Sequence, residues 1–511
     1  MKTKRINSLN YFMDIFTEED RQHLPNFQNV SQLLEYIENA FRHDVALFDA
    51  NGEITYSEMV TQVRKTCGAL RDLGFVKGNH IGVFFPNSIE AAITLLAVMA
   101  FGAVAVIMPA QLDENMIFGA SYKYNLNGVI LDDSFTDRLG LTKMRLPDLI
   151  LTPYSEISRL LSPFDFDINQ NGDDGACIIF SSGTTGSPKG ALLSHLNLMT
   201  GTYFGSMGVA NFTRQVYYTV LPLSHVFGLI RGFLTPLYSG SRVSFARNMN
   251  LIFKEMPLVK PTILVFVPAL CELLLNVIKR FGFAVTGGNL KTIIAGAATV
   301  PPYFIPEYAN FGVKLFPGYG LTESSNLVSG NPDIENRPSS VGILYPGIDV
   351  KVSQGELWIK GPNVFKGYYN DPDANESSFE DGYFKTGDLV EFDEAGYLYI
   401  TGRSKDVIVL SNGENVSPNY LEKHFLKEDM IQDCLVYEDE NSKLVLEVFP
   451  RDSVYGSLEI SSRETFLNKR LQKYNHELLP SMQVTKIIVR SEDFKRTPSM
   501  KIIRPKKEAN K

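Results

Sequence analysis

Between Ala91 and Met108 every residue except Thr94 is apolar or glycine, and the way this run divides decides what kind of chain it belongs to. An uninterrupted apolar run of this length is long enough to suggest a membrane-crossing helix. Gly102 breaks the run and Pro109 ends it. The alanine-rich part before Gly102 reads as a helix buried on all sides, and Ala103–Met108 reads as a fully buried strand of a parallel sheet. A core helix and a core strand joined at one glycine predict a globular α/β interior, with no transmembrane segment.

The flanking sequence repeats the same alternation. Helical spacing from Val30 to Phe41 is followed by a strand at Val45–Phe48 and a hairpin-type turn at Asn51-Gly52. An amphipathic helix runs from Tyr56 to Leu73, and a strand at Ile81–Phe85 is closed by Pro86-Asn87. A helix near Glu114–Tyr124 and a strand at Gly128–Leu131 continue the series. Strands alternating with helices predict α/β layers with a mainly parallel sheet. Further on, Tyr217–Leu223, Thr262–Val267, Lys291–Ala295 and Lys314–Phe316 read as strands. Their exits are polar or glycine-rich: Ser224-His225, Gly296-Ala297-Ala298 and Gly318-Tyr319-Gly320-Leu321-Thr322-Glu323. Ligands of open parallel sheets bind outside the carboxyl ends of the strands, so these loops predict one shared crevice.

Beyond residue 340 the texture changes to short strands, Gly355–Ile359, Val390–Phe392 and Tyr397–Ile400, which predict a small β-rich subdomain. Gly402-Arg403-Ser404-Lys405-Asp406 reads as a polar link into a last α+β domain. The expected organisation is a large N-terminal domain, 1–404, and a small mobile C-terminal domain, 405–511. The whole is of α/β class. A formal net charge of −8 gives no reason to expect a nucleic-acid partner. Cys67, Cys177, Cys271 and Cys434 are far apart, without metal-ligand spacing. Buried free thiols in a reducing, cytoplasmic setting are the expectation. The basic N-terminus lacks the continuous apolar segment of a signal peptide.

Ser181 to Gly190 reads SSGTTGSPKG, after the apolar run Ala176–Phe180 and before a helix start capped by Ser194. Glycines let backbone N–H groups approach an anion, serine and threonine add donors, and Lys189 adds a mobile charge. It is not a P-loop: Gly183 and Gly186 enclose two residues rather than four, and Lys189 is followed by Gly190. Taken alone, such a stretch is also compatible with a polar surface loop. The full string resembles the phosphate-loop signature of the adenylate-forming superfamily of acyl-CoA synthetases, adenylation domains and luciferases. That superfamily's members activate a carboxylic acid with ATP and pass the acyl group to an acceptor.

The resemblance runs over residues 30 to 504 and implies roles for further motifs. Ser181, Ser182, Gly183, Thr184, Thr185, Gly186 and Lys189 would hold the phosphates, with Thr184 and Lys189 acting in catalysis. Gly296, Ala297, Ala298, Gly318, Tyr319, Gly320 and Thr322 would contact the nucleotide, with Tyr319 on the adenine. Glu323 would serve Mg²⁺. Asp388, in Thr386-Gly387-Asp388, and Arg403 would hold the ribose, and Lys405 would be the hinge. Lys501 would be the second catalytic cation; Met500 precedes it where the usual motif has glycine. Gly413 would leave room for a pantetheine arm. Leu221-Pro222-Leu223-Ser224-His225 matches the region lining the acid pocket, whose wall would include His225, Val226, Phe227, Ser325 and Asn326. No aspartate follows His225 to hold an amino acid's ammonium.

A largely apolar wall suits fatty or aromatic acids better than dicarboxylates. The resemblance implies an AMP-forming fatty or aromatic acid–CoA ligase that uses ATP, Mg²⁺ and CoA, with fatty acid metabolism as the expected setting. The alternative acceptor is the phosphopantetheine arm of an acyl carrier protein. Monomer and homodimer are both compatible with the sequence.

Overall fold

The computed structural model describes residues 26–160, 162–181, 189–207, 213–246, 248–409, 415–439, 443–451, 460–496, 502 and 504. It is of mixed α/β class, and the chain forms two compact units: residues 1–349 with 359–384, and residues 350–358 with 385–511.

The run from Ala91 to Met108 folds as its division at Gly102 predicts. Ser88 caps a helix, Ile89–Phe101, by accepting from the Ala91 N–H, and Gly102 ends it in the left-handed conformation (φ 87°) that glycine adopts without strain. Every residue of this helix except Glu90 is buried. Burial of Ile93, Leu95, Leu96, Val98 and Met99 stabilises the unit by roughly 1.5–3 kcal/mol per side chain. The strand Val104–Met108 that follows is buried at all positions. The helix is buried all round because it touches strands of two different sheets, Val45–Asp49 on one side and His80–Phe84 with Val104–Met108 on the other.

The first sheet has nine strands, in the order 343–344, 329–330, 314–319, 292–295, 263–266, 216–219, 242–245, 45–49 and 52–55. Its six central strands are parallel, with antiparallel additions at both edges. The segments that follow Val216–Thr219, Ile263–Phe266, Thr292–Ala295 and Lys314–Tyr319 therefore leave the sheet on one side, as adjacent neighbours. The second sheet has seven strands, in the order 367–368, 189–194, 175–181, 104–108, 80–84, 128–131 and 150–153. Its parallel part carries an antiparallel hairpin, Gly175–Ser181 with Lys189–Ser194, extended by Gly367–Tyr368.

The second unit contains the strand pair Tyr383–Phe392 and Leu398–Arg403 from residue 385 onward. It also holds an antiparallel pair, Ile431–Glu438 with Leu444–Pro450, joined by a parallel strand, Lys486–Val489. Helices Pro418–Phe425 and Ile460–His476 complete it, over a core that includes Leu421, Phe425, Val436, Leu446, Leu467 and Leu471. All four cysteines are buried and free, and no helix among the described residues is long and apolar enough to cross a membrane.

His195 opens the helix His195–Ser206 in a dry site. Its Nδ1 faces the Val30 N–H at 3.5 Å, its Nε2 is buried without a partner, and burial pushes its pKa down to about 4. The folded form resists the proton that the unfolded chain accepts near pH 6.5. This contribution is intact above that value and is lost as pH falls towards 4, at about 1.4 kcal/mol per pH unit at most. Urea unfolding at pH 7 and pH 4.5 is expected to show a smaller loss for His195→Gln than for the wild type. Equal losses would show that His195 does not contribute.

Candidate active site

The phosphate-loop string lies inside a hairpin rather than between a strand and a helix. Ser181, the last residue of one strand, pairs with Lys189, the first of the next. Ser182, Gly183, Thr184, Thr185 and Gly186 lie outside the described residues. Gly190 is needed for close approach, since a Cβ there would stand 2.4 Å from the Tyr124 ring. At the far end of the second strand Ser194 accepts from the Asn197 N–H and the Asn197 Oδ1 accepts from the Ser194 N–H, a reciprocal cap that starts the helix His195–Ser206. The Asn197 amide nitrogen then donates to the carbonyls of Pro362 (2.8 Å) and Val364 (3.0 Å), tying the hairpin to a remote segment.

That segment supplies Tyr368, which the sequence motifs did not single out. Tyr368 pairs with Ala191 across the hairpin edge. Its ring centroid lies 4.8 Å from the Lys189 ammonium, and its hydroxyl donates to Glu323 Oε1 at 2.8 Å in a buried contact. The Phe365 N–H donates to the Glu323 backbone carbonyl at 2.8 Å. One tyrosine thus joins the lysine of the first motif to the carboxylate of the second, through its aromatic face and its hydroxyl. The signal for it was faint, because Gly367-Tyr368-Tyr369 carries no charge and no unusual spacing.

The strand Lys314–Tyr319 runs further than expected and includes Gly318 and Tyr319. The chain then folds back tightly. The Asn326 N–H donates to the Leu321 carbonyl (2.9 Å) and the Val328 N–H to the Tyr319 carbonyl (2.8 Å). A Cβ on Gly320 would lie 1.7 Å from the Asn326 carbonyl oxygen, so only glycine fits there. Ser325 (φ 48°) and Asn326 (φ 79°) are left-handed, as is Ala297 (φ 65°) on the neighbouring strand exit. Such backbone costs about 1–3 kcal/mol per residue and persists only where surroundings enforce it. Asn363 helps to do so, its amide donating to the carbonyls of Ser324 (3.0 Å) and Leu327 (2.6 Å). The Ser325 hydroxyl and the Asn326 amide nitrogen are buried without hydrogen-bond partners.

Phe227 reaches the same strand exits. A Cβ on Gly296 would lie 3.3 Å from its ring and 3.6 Å from the Gly318 carbonyl, so these three residues are brought together. His225 caps the short helix Val226–Leu229, its Nδ1 accepting from the Phe227 N–H at 3.2 Å. The imidazole therefore holds the Phe227 backbone through Nδ1. Val226 is buried beside Phe227, Ala298 follows Ala297 along the exit, and Thr322 begins the 3₁₀ turn that contains Glu323.

In the second unit Asp388 and Arg403 face each other across paired strands, with Arg403 Nε 2.8 Å from Asp388 Oδ1. Asp388 is buried, and its N–H donates to Thr386 Oγ1, which itself donates to the Leu357 carbonyl. Lys405 belongs to the 3₁₀ turn Ser404–Asp406. Its side chain, Gly413 and Lys501 lie outside the described residues. Arg504 does not: it donates to Glu422 Oε2 and Asn419 Oδ1, both at 2.7 Å, and approaches Asp406 at 3.7 Å.

No group of three metal-ligating side chains occurs among the described residues. Mg²⁺ needs no such group, because one carboxylate with phosphate oxygens and water completes its shell. Glu323, with one oxygen bonded to Tyr368, fits that limited role.

The chain matches the model of the AMP-binding enzyme family over residues 35–369 and that of the AMP-binding enzyme C-terminal domain over residues 405–510. It is 27% identical to 4-coumarate–CoA ligase-like 6 of Arabidopsis thaliana, across 94% of this chain and 90% of that protein. It is 28% identical to a long-chain-fatty-acid–CoA ligase of Yersinia pestis, across 77% of this chain and 80% of that protein. Its fold is similar to that of ATP-bound MatB from Rhodopseudomonas palustris, with a TM-score of 0.81 and 24% identity over 93% of this chain and 97% of the other.

Tyr368→Phe removes only the hydroxyl that orients Glu323. Calorimetry is expected to show Mg-ATP binding weakened about tenfold, the lower range for losing a hydrogen bond to a charged group. Unchanged binding at both low and high Mg²⁺ would show that the hydroxyl does not act on a metal-bound nucleotide.

Proposed function

The chain belongs to the AMP-binding enzyme family, and from that premise we propose that it joins a carboxylic acid to the thiol of coenzyme A in two steps driven by ATP. In the first, a carboxylate oxygen of the acid attacks the α-phosphorus, the bond to the bridging oxygen breaks, and pyrophosphate leaves. In the second, the CoA thiolate attacks the acyl carbon and AMP leaves. The first step requires no general base, since the acid is already ionised at neutral pH. Its barrier is electrostatic, because several negative groups converge on one phosphorus.

The observation that carries this reading is the joining of Lys189 to Glu323 through Tyr368. A cation and a carboxylate from motifs far apart in sequence share one ring. In the proposed site Lys189 and Thr184 hold phosphate oxygens. Glu323 would hold Mg²⁺, which when bound offsets phosphate charge. Tyr319, with Gly296, Ala297, Ala298, Gly318, Gly320 and Thr322, receives the nucleotide. Asp388, held by Arg403, accepts hydrogen bonds from ribose hydroxyls. Val226 and Phe227, with the strand exits at Gly296 and Ser325, receive a fatty or aromatic body. Residues 405–511 act as a lid turning at Lys405, with Lys501 serving the first step and Gly413 admitting the pantetheine arm in the second.

Lys501→Ala is expected to lower formation of the acyl adenylate by about 10²-fold or more while sparing thioester formation from supplied acyl adenylate. Gly413→Leu is expected to do the reverse. Loss of both steps in each variant would count against the division of labour. The decisive experiment is mass spectrometry of products from purified protein, Mg-ATP and a panel of fatty, aryl and amino acids, with and without CoA. Acyl-CoA with AMP supports the ligase. An acyl adenylate that accumulates and ignores CoA would move the acceptor to a carrier protein.

A further inference from the structure

Arg231 is the one arginine or lysine fully buried among the described residues, with 4% of its surface exposed. No carboxylate of the described residues pairs with it. Its Nη1 donates to the Gly205 carbonyl, and its Nε is buried with no hydrogen-bond partner. The hydroxyls of Tyr217 and Tyr345 lie near it. Burial raises the pKa of both, and Arg231 opposes the rise. One carbonyl and two neutral phenols do not compensate a buried guanidinium, which is normally found paired. Capping the last turn of His195–Ser206 accounts for Nη1 and leaves Nε unexplained.

Its position relates the unpaired charge to the acid pocket. The segment Val226–Tyr238 is helical throughout, with a π turn at Ile230–Leu234 that includes Arg231. Turns of this kind recur at functional sites. Arg231 follows Phe227 by four residues, so the two share a helix face. On the helix His195–Ser206, Gly201 and Gly205 are likewise four residues apart. A Cβ on Gly201 would meet the Ser325 carbonyl oxygen at 2.5 Å, and one on Gly205 would meet Arg231 Nη1 at 2.9 Å. Arg231 thus lies about one turn, roughly 5–6 Å, beyond Phe227 on its own segment, and it touches the helix His195–Ser206 at Gly205, one turn beyond the glycine packed against Ser325.

We infer that Arg231 binds a second carboxylate at the far end of the acid substrate, so that the enzyme activates a fatty or aromatic acid bearing a distal carboxylate. This rests on the ligase reading and sharpens its substrate class. The apolar wall named from sequence ends at Phe227, one turn short of the charge, which is why it pointed away from dicarboxylates. A guanidinium suits this role because its planar fork matches a carboxylate, and burial strengthens the pairing.

The test compares matched acids, suberate against octanoate and terephthalate against 4-methylbenzoate, by kcat/KM for pyrophosphate release with Mg-ATP and CoA. The wild type is expected to favour the dicarboxylate of at least one pair by about tenfold or more. In Arg231→Met that ratio is expected to fall on the order of 10²-fold, chiefly through KM, and in Arg231→Lys by less. Preference for the monoacid in both wild-type pairs would overturn the inference. So would equal losses for both acids in the variants, which mark a structural role. Arg231→Lys carries the comparison if the methionine variant does not fold. If no acid yields AMP, the ligase reading fails, and calorimetric titration with suberate and terephthalate decides the arginine separately. Binding lost in the variants upholds it, whereas binding unchanged or absent throughout overturns it.

Discussion

The contact of one phenol with two charged groups is what the candidate site depends on. Tyr368 offers its ring face to Lys189 and its hydroxyl to Glu323. Neither charged residue is near the other in sequence, and neither motif contains the tyrosine. The geometry exists because Gly367–Tyr368 adds a strand beside the hairpin strand that begins at Lys189. Backbone hydrogen bonds at a sheet edge therefore place the hydroxyl that the Glu323 carboxylate meets. A short, inconspicuous strand can carry such a role because ladder pairing positions side chains regardless of their chemistry.

Two asparagines extend the same logic. Asn197 ties the helix after the hairpin to the segment 362–364, and Asn363 ties that segment to the loop holding Glu323. The Asn363 bonds, to Ser324 and Leu327, flank the left-handed residues Ser325 and Asn326. The unfavourable backbone and its restraints belong together, because strained loops hold their shape only when several independent bonds oppose relaxation. The result is a rigid strand exit, facing neighbours on the parallel strands beside it. Preorganisation of this kind suits chemistry whose barrier is electrostatic, since donors and charges already in place need not reorganise during the reaction.

The second unit applies one principle to different parts. Asp388 is buried, with Arg403 beside its carboxylate and its N–H donating to Thr386, which in turn donates to the Leu357 carbonyl. Arg504 similarly links Glu422 and Asn419 with Asp406, the residue after the proposed hinge. Arg231 in the first unit is the contrast, a buried cation with one carbonyl partner and an unpartnered Nε. Residues of one type thus report different things, depending on whether their hydrogen bonds close within the protein.

Much of the fold was legible in the sequence. Apolar runs, glycine breaks and capping residues are local, and local steric and hydrogen-bonding rules act on them directly. Helix Ile89–Phe101, its stop at Gly102 and strand Val104–Met108 followed from such rules. So did the placing of the strand exits on one side, because consecutive parallel strands leave little choice. What only the tertiary structure decided was pairing across long separations. The hairpin partner Lys189–Ser194, the extension of Lys314–Tyr319, the contact of Tyr368 with Glu323 and the isolation of Arg231 depend on residues far apart in the chain. An arginine in sequence reads as a solvated surface charge. Whether it is buried, and whether anything neutralises it, is settled by packing among segments that no local pattern connects.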